Sequence, residues 1–464
     1  MRFYVETLGC QMNKLDSELV AGLLGQLGYQ PVTDVAEADV TILNTCSVRD
    51  HAEQKALSRL GHFNHLRKKN GTPAIIAVMG CFAQRSPELI RNKAPFVDII
   101  CGPAELHELG RLISQSLLQR KADQKVSAKI AVSDFRKIRS GQEALCDELE
   151  SLDVQRPMVG EGFQRFVRVQ RGCDNFCSYC VVPFARGPEC SRPVDHILEE
   201  VRRIDRTGCK EITLLGQTVS SYCQDHQGQK VGLAELLCLV HESCSIPRIR
   251  FITSYPADFS PAIFEAMAEL PRLCPYLHLP AQHGSDRMLK LMNRRYTIKQ
   301  YLDLLEQGRR IVPNLSIAGD FIVGFPTETQ DDHQQSIELL EKVRYKNCFI
   351  FKYSIRPGTL AAGKYTPEQE IPEEIKSARH SEMLQVQDRI ANEDNQTMVG
   401  KIVEVLVEGT SKKNRADKQT LSQLVGRTVE DKIVIFDGLE TITGTIAKVR
   451  IQSASSLTLF GEVV

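Results

Sequence analysis

The stretch "RGCDNFCSYC" at residues 171–180 places Cys173, Cys177 and Cys180 on one short segment. It directly follows "RFVRVQ" at residues 165–170, an apolar run typical of a strand. A structural zinc site needs four ligands, commonly two CxxC pairs, and Cys177 with Cys180 forms one pair without an obvious second. Ferredoxin-type sequences hold an iron–sulfur cluster with four cysteines at a different spacing. The segment is therefore typical of neither site.

Three thiolates on a [4Fe-4S] cube leave one iron open to another ligand. An open iron can bind a small chelating cofactor, and S-adenosylmethionine carries an amino group and a carboxylate suited to that role. A purely structural cluster has no need of an open iron. The segment therefore predicts a cluster with an exchangeable position, and a zinc site remains the alternative.

A strand–helix pattern repeats around this segment, from about residue 160 to 385. The strand candidates are "RFVRVQ", "EITLLG", "RIRFITS", "YLHLP", "SIAGDFIVG" and "CFIFKYS". About six such units predict a parallel barrel or partial barrel, whose active site lies at the carboxyl ends of the strands. The polar and small residues at those ends include Gly216, Gln217, Ser254 and Gln282.

Residues 1 to about 120 alternate short apolar runs with helical periods and predict a small parallel-sheet α/β domain. In "DSELVAGLLGQLG", Asp16 or Ser17 is expected to cap a helix that Gly28 ends. Cys10, Cys46 and Cys81 each come one to three residues after an apolar strand. Because the carboxyl ends of parallel strands converge, these cysteines predict a second metal site rather than three separate core thiols.

Cys101 ends a further strand of this domain in the same way. We nevertheless expect it to be a packing thiol, because cysteine is also a small core hydrophobe.

The rest of the chain is organised differently. Residues 121–158 are charged and irregular and are expected to form a linker. Residues 395–464 contain short alternating runs with glycine turns, which predict an all-β module, a small barrel. Its basic loop "SKKNRADKQ" is either a solvated loop or a grip on a nucleic-acid backbone.

Composition excludes several classes of protein. Lys and Arg number 58 and Asp and Glu 58, so the net charge is +0 and any nucleic-acid contact depends on local patches. No apolar run reaches about 18 residues and no long apolar segment follows Arg2, so we expect neither a membrane span nor a cleaved signal. The 15 cysteines are an odd number in a long chain, which favours ligands and core thiols in the reducing cytoplasm over a disulfide framework.

Further motifs carry a resemblance to a known family. They are "LGCQMN", "ADVTILNTCSVR", "GCFAQ", "CSYCVVPFARG", "LHLPAQHGSD", "MNRRYT", "DFIVGFPTET" and "YSIRPGT". With these motifs the chain resembles the radical S-adenosylmethionine (SAM) methylthiotransferases over all three domains, and its terminal module resembles the TRAM domain. The resemblance implies an α/β fold with an N-terminal parallel-sheet domain (1–120), a linker (121–158), a partial (β/α)6 radical SAM barrel (159–390) and a TRAM-like barrel (395–464).

The resemblance also implies two [4Fe-4S] clusters, each held by three cysteines. The cluster that cleaves SAM would be held by Cys173, Cys177 and Cys180. The auxiliary cluster would be held by Cys10, Cys46 and Cys81. The SAM-binding residues would be Tyr179, Gly216, Gln217, Ser254 and Gln282. No side chain is predicted as a catalytic acid, base or nucleophile, because the cofactors carry the difficult chemistry.

In the family scheme, one SAM methylates a sulfur bound to the auxiliary cluster. A second SAM is reduced to a 5′-deoxyadenosyl radical, which removes hydrogen from carbon 2 of an adenine before methylthio transfer. The residues "QMN" after Cys10 resemble the branch that acts on isopentenyl-adenosine beside the anticodon of tRNA.

The implied partners are tRNA, an electron donor of the flavodoxin or ferredoxin type and a sulfur donor. We expect a cytoplasmic monomer that does not bind membranes. The residues expected to hold the tRNA backbone are Lys412, Lys413, Arg415 and Lys418.

Several alternatives remain open. The same chemistry could act on threonylcarbamoyl-adenosine in tRNA or on an aspartate of a ribosomal protein, and a non-catalytic iron–sulfur RNA-binding protein is the alternative from another class. His283 departs from the family's usual "QSGS" and could contact substrate, although a histidine satisfied by its neighbours is the expectation. Arg186 and Arg192 are expected to meet carboxylate or phosphate bidentately near the first cluster, rather than forming ordinary surface ion pairs.

Overall fold

Each of the three patterned regions forms its own layered unit in the computed structural model. The structure describes residues 1–47, 50–122, 128–135, 147, 150–154, 156, 162–411 and 421–464. Among the helices in these ranges, none combines the length and the apolar character needed to cross a bilayer.

The N-terminal unit is a parallel sheet of six strands in the order β2-β1-β3-β4-β5-β6. Its strands are β1 (Arg2–Thr7), β2 (Gln30–Pro31), β3 (Val40–Thr45), β4 (Ile75–Gly80), β5 (Ile99–Cys101) and β6 (Lys129–Ala131). Its helices are α1 (Gln11–Gln26), α2 (Asp50–Asn70), α3 (Cys81–Arg85), α4 (Pro87–Lys93) and α5 (Leu109–Lys121). Strand β6 pairs with β5 from within the segment expected to be a linker.

Both faces of this sheet are covered, which explains its nearly continuous apolar strands. In β4, Ile75, Ala77 and Met79 pack in one core cluster, whereas Ile76 and Val78 pack in the other. The alternation follows from the two-residue period of a strand.

Helix α1 begins earlier than the sequence predicts. Gln11 is its first residue and Cys10 its N-cap, so Asp16 and Ser17 lie inside the helix instead of capping it. Gly28, with φ +83°, follows the helix end as expected. The longer helix has a consequence for the site, because it buries Asp16 against the second unit.

The central unit contains the six predicted barrel strands, all parallel to their neighbours. They are β7 (Gln164–Arg168), β10 (Glu211–Leu215), β13 (Arg248–Ile252), β14 (Tyr276–His278), β15 (Ser316–Val323) and β16 (Asn347–Lys352). They pair in the orders β13-β10-β7 and β14-β15-β16, with a bridge between Ile249 and Leu273 near the junction.

Short strands and nine helices complete this unit in the part of the chain described. The strands are β8 (Gln170–Arg171), β9 (Cys190–Ser191), β11 (Cys223–His226) and β12 (Gln229–Gly232). The helices are Val182–Arg186, Val194–Asp205, Leu233–Ser243, Ala262–Glu269, Asp286–Leu291, Ile298–Ile311, Gln330–Val343, Leu360–Lys364 and Glu373–Gln396.

The C-terminal unit is a closed barrel of five strands in the order β17-β18-β19-β21-β20. Its strands are β17 (Ile402–Thr410), β18 (Ser422–Arg427), β19 (Ile433–Gly438), β20 (Ile446–Ala454) and β21 (Thr458–Val463). It docks on the amino ends of the central strands, where Arg248 donates to the carbonyls of Arg427 and Glu404. Closure leaves no free sheet edge, as in other small β-barrels.

One cysteine departs from the sequence expectation. Cys190 is disulfide-bonded and so is not among the free thiols of the described residues. The cysteines predicted as cluster ligands are all free.

Candidate active site

The segment with three cysteines lies just beyond the carboxyl end of β7. Gly172, with φ +68°, turns the chain into it, and a Cβ there would collide with the carbonyl of Pro188. Ser178 anchors the segment, because its N–H donates to Met292 O at 2.9 Å and its own carbonyl accepts from Ala361 N at 2.7 Å. Two segments distant in sequence, the end of the helix Asp286–Leu291 and the helix Leu360–Lys364, thus anchor the cysteine segment.

Each of the three sulfurs accepts one N–H hydrogen bond. Asn175 Nδ2 donates to Cys173 at 3.5 Å, the Val182 N–H donates to Cys180 at 3.4 Å, and Arg294 Nη1 donates to Cys177 at 3.4 Å. Donors directed at sulfur stabilise thiolates and tune iron–sulfur clusters.

Burial makes these sulfurs costly to ionise without a metal. It raises the pKa of Cys173 and raises that of Cys180 to about 12. Iron ligation removes this cost, because a coordinating thiol is deprotonated outright. The donor set therefore suits a cluster.

The second cysteine set follows three neighbouring strands of the N-terminal sheet. Cys10 is the N-cap of α1 and Cys81 is the first residue of α3, so both lie at helix N-termini, which favour thiolates. Gly80, with φ +97°, brings its strand against the Thr45 backbone, and a Cβ on Gly9 would lie 2.8 Å from Cys46 Cβ. These glycines allow the three loops to approach closely.

Asn13 holds two of the three loops together, those after β1 and β3. Its Nδ2 donates to Leu8 O at 3.1 Å and to Thr45 O at 3.0 Å, and its Oδ1 lies 3.5 Å from Cys10 Sγ. Asn13 is fully buried. Sequence reasoning assigned it no role, although its position three residues after Cys10 places it on the first turn of α1.

Neither set resembles a mononuclear metal site. Within the described ranges, no three His, Cys, Asp or Glu side chains are arranged to bind one metal ion.

Arg186 links the helix after Cys180 to the N-terminal cysteine set. It ends the helix that follows Cys180, yet its Nε donates to Cys81 Sγ at 3.2 Å and its Nη2 to Asn13 Oδ1 at 3.0 Å. Its Nη1 donates to Asp16 at 2.6 Å. Burial disfavours the charge, but Asp16 and the thiols of Cys81 and Cys10 raise the pKa of Arg186 above its ordinary value.

Buried ion pairs also join residues 150–154 to the barrel unit. Asp153 accepts from Arg168 Nη2 and from Arg171 Nη2, both at 2.6 Å. Arg192 makes the expected bidentate pair, to Glu150, with bonds of 2.7 and 2.8 Å. Both acids, Asp153 and Glu150, come from the segment predicted as a linker. That segment therefore takes part in holding the site.

The residues predicted to bind SAM lie around the barrel's carboxyl end. Ser254 is 4% exposed, and neither its Oγ nor Gln217 Oε1 has a hydrogen-bond partner in the described structure. Buried polar atoms without partners are uncommon and suit a ligand. The backbone of Gln282 has φ +70°, a strained conformation for a residue other than glycine. It is held there by two hydrogen bonds to β15, from Gln282 N–H to Asp320 O and from Ile322 N–H to Gln282 O.

Tyr179 and Gly216 occupy two further sides of this region. Burial, followed by the neighbouring Cys177 thiol, raises the pKa of Tyr179 well above its usual range. A Cβ on Gly216 would lie 3.0 Å from Gln170 Oε1, so only glycine fits comfortably there.

His283 is satisfied by neighbours, as expected. It is 2% exposed, and its ring nitrogens lie 3.4 Å from Glu328 Oε2 and 3.2 Å from Ser336 Oγ. Cys101 is also buried, and its thiol contacts the Glu105 carbonyl at 3.3 Å. Both side chains are engaged away from the candidate ligands.

The predicted RNA-binding residues Lys412, Lys413, Arg415 and Lys418 lie outside the described residues. A large cavity of about 1110 Å³ has walls from all three units, and Cys10 and Cys46 line it. Its remaining walls include the barrel residues Phe166, Thr213 and His278. Two of the three auxiliary cysteines therefore face a space large enough for a nucleotide.

Comparisons with known proteins agree with this architecture. Residues 2–102 match the uncharacterized protein family UPF0004, residues 167–340 the radical SAM superfamily and residues 396–464 the TRAM domain.

Two curated relatives extend the likeness to the whole chain. One, from Rhodopirellula baltica, is 44% identical and covers 99% of this chain and 95% of its own length. Another, from Phocaeicola vulgatus, is 40% identical and covers 100% and 96%. Each is named tRNA-2-methylthio-N(6)-dimethylallyladenosine synthase.

A solved structure supports the fold. The radical S-adenosylmethionine methyltransferase TsrM from Kitasatospora setae, with cobalamin and a [4Fe-4S] cluster bound, has a TM-score of 0.53 and 12% identity. The match covers 78% of this chain and 77% of that one. At this identity the likeness concerns the fold alone.

Proposed function

The chain belongs to the family of tRNA-2-methylthio-N(6)-dimethylallyladenosine synthases, and we propose that it attaches a methylthio group to carbon 2 of N(6)-dimethylallyladenosine beside the tRNA anticodon. It is a radical SAM enzyme with a TRAM domain. The observation that carries the proposal is the 44% identity to a named synthase along nearly the whole chain.

The family implies SAM and a [4Fe-4S] cluster. We assign that cluster to Cys173, Cys177 and Cys180, and a second cluster to Cys10, Cys46 and Cys81. When bound, these groups supply electrons for the reductive cleavage of SAM and a thiophilic iron for sulfur, chemistry that side chains do not offer. Two free three-thiol sets, each at strand ends, support the assignment.

The chain's own residues orient the cysteine ligands and SAM and limit the access of water. Asn175 and Arg294 donate to barrel sulfurs and would hold the ligands in place. The unpartnered Ser254 Oγ and Gln217 Oε1 offer polar contacts to SAM. Cys46, Cys81 and Cys177 are buried, so water has little access to these three sulfurs.

The remaining expectations also stand as proposals. They are an electron donor of the flavodoxin or ferredoxin type, a separate sulfur donor, a monomeric state and work in the cytoplasm, where tRNA is modified.

The test compares three anticodon stem-loops carrying dimethylallyl-adenosine, threonylcarbamoyl-adenosine or plain adenosine, each with deuterium at carbon 2. Reduced, cluster-loaded enzyme and SAM should give methylthio product from the first only, or far faster, with deuterium in 5′-deoxyadenosine. The Cys177→Ala variant is the matched control and should give none. Equal reaction of the second stem-loop would contradict the substrate, and product without deuterium transfer would contradict the hydrogen abstraction.

A further inference from the structure

Two aromatic rings are stacked on the edge of the barrel and face the large cavity. Phe349 and Phe351 are alternate residues of β16, so both side chains point to the same side. Their ring centroids lie 6.5 Å apart with 13° between the planes, and both residues line the cavity. Phe349 is 46% exposed, which is unusual for a phenylalanine on a barrel strand.

The cavity also carries a surplus of positive charge. Seven Lys or Arg side chains line it against four Asp or Glu side chains. Three of the four acids are already paired with cations: Glu211 with Arg250, Asp431 with Lys346 and Arg427, and Glu408 with Arg427.

Two of the lining cations, Lys14 and Lys55, are exposed, and neither has an ion-pair partner in the part of the chain that the structure describes. Aromatic stacking surfaces beside free cations are characteristic of sites for single-stranded nucleic acid.

We infer that the Phe349–Phe351 pair is a stacking platform for an unpaired base of the anticodon loop, and that Lys14 and Lys55, which line the same cavity, hold phosphates of that loop. This inference rests on the proposed function and deepens it. Cys10 and Cys46 line the same cavity, so a base on the platform would share one space with these two auxiliary cysteines. The platform would thereby hold the loop while the reacting base is turned inward.

The experiment measures binding of an anticodon stem-loop bearing dimethylallyl-adenosine by fluorescence anisotropy, with cluster-loaded enzyme. Phe349→Ala and Phe351→Ala should each weaken binding about fivefold or more, because a base loses its aromatic partner. Phe349→Leu keeps apolar area without a π-face and should weaken binding similarly. Leu118→Ala is the control for an exposed apolar side chain: Leu118 is 67% exposed on α5 of the N-terminal unit and does not line the cavity.

A second readout separates stacking from folding. With 2-aminopurine at single positions of the loop, wild type should quench one position strongly, and the Phe349→Ala, Phe351→Ala double variant should restore its emission. Binding by the double variant within twofold of wild type, with no change in quenching, overturns the platform while leaving the proposed function intact. A wild type that neither binds nor modifies any stem-loop overturns both.

Discussion

The Nε of Arg186 lies 3.2 Å from Sγ of Cys81, although 105 residues separate them in sequence. The first follows the barrel cysteines and the second belongs to the N-terminal set. A side chain from the barrel unit therefore reaches the auxiliary cysteine set, and its positive charge lies directly beside a candidate ligand of the auxiliary cluster.

We predict that Arg186→Gln lowers the reduction potential of the auxiliary cluster. Loss of the hydrogen bond and positive charge favours the oxidised cluster, and a tenfold change in the reduced-to-oxidised ratio corresponds to about 59 mV for one electron. A redox titration followed by electron paramagnetic resonance measures it. Arg186→Lys, which keeps the charge, should shift the potential of the auxiliary cluster less. The reduction potential of the barrel cluster should stay unchanged in both variants. An unchanged auxiliary potential contradicts the prediction.

We predict that reconstituted protein carries about eight irons, four for each [4Fe-4S] cube. Cys177→Ala and Cys46→Ala should each remove about half of the iron, because each disables one site only. Iron and sulfide analysis after anaerobic purification measures this. Bound zinc, or equal loss of one shared cluster in both variants, would exclude two separate sites.

Cys101→Ala should leave iron content and activity nearly intact. The thiol is buried beneath the sheet and faces the Glu105 carbonyl, and burial raises its pKa far above the ordinary value for cysteine. Loss of its packing should cost at most a few kcal/mol, seen as a lower unfolding temperature. If auxiliary-cluster iron disappears instead, Cys101 is a ligand and the open-iron interpretation fails.

Asp153→Asn should destabilise the protein at neutral pH by about 3–5 kcal/mol, since it leaves buried arginines unpaired. Burial alone would raise the pKa of Asp153, but Arg168, Arg171 and Arg192 hold it well below its usual value. The stability that ionised Asp153 gives the folded protein is therefore fully present above about pH 3.9, the pKa of aspartate in the unfolded chain. It declines as the pH falls below that value.

Calorimetry of wild type and variant from pH 7 to pH 3 tests this linkage. The difference in unfolding temperature should stay constant down to about pH 5 and shrink below about pH 4. Asp303→Asn, whose partner Lys299 is on the surface, should change little at any pH. A difference that grows toward acid pH would contradict the sign.

Neutralising Lys412, Lys413, Arg415 and Lys418 should flatten the salt dependence of tRNA binding. If these four residues contact about four phosphates, affinity falls about fiftyfold between roughly 50 and 200 mM salt. Filter binding across that range gives the slope, and Lys14→Gln with Lys55→Gln tests the cavity cations separately. An unchanged slope in the quadruple variant would place the RNA away from this loop.

Much of the fold could be predicted because its signals are local. The apolar run before Cys173 and the five similar runs after it predicted all six barrel strands. Strand ends next to Cys10, Cys46 and Cys81 predicted their convergence, since parallel strands end on one edge. The predicted start of α1 was wrong because Asp16 resembles an N-cap in the sequence. In the structure Asp16 lies inside the helix, where it pairs with Arg168 and Arg186.

The sequence by itself determined the two cysteine sets, the order of the domains and the resemblance to a family, because spacing along the chain carries that information. Only the tertiary structure decided which residues hold the sets together. Asn13, Arg186 and Asp153 act across 31 to 173 residues of separation, or from within an apparent linker. Such contacts depend on how separate units dock, and docking leaves no periodic trace in the sequence.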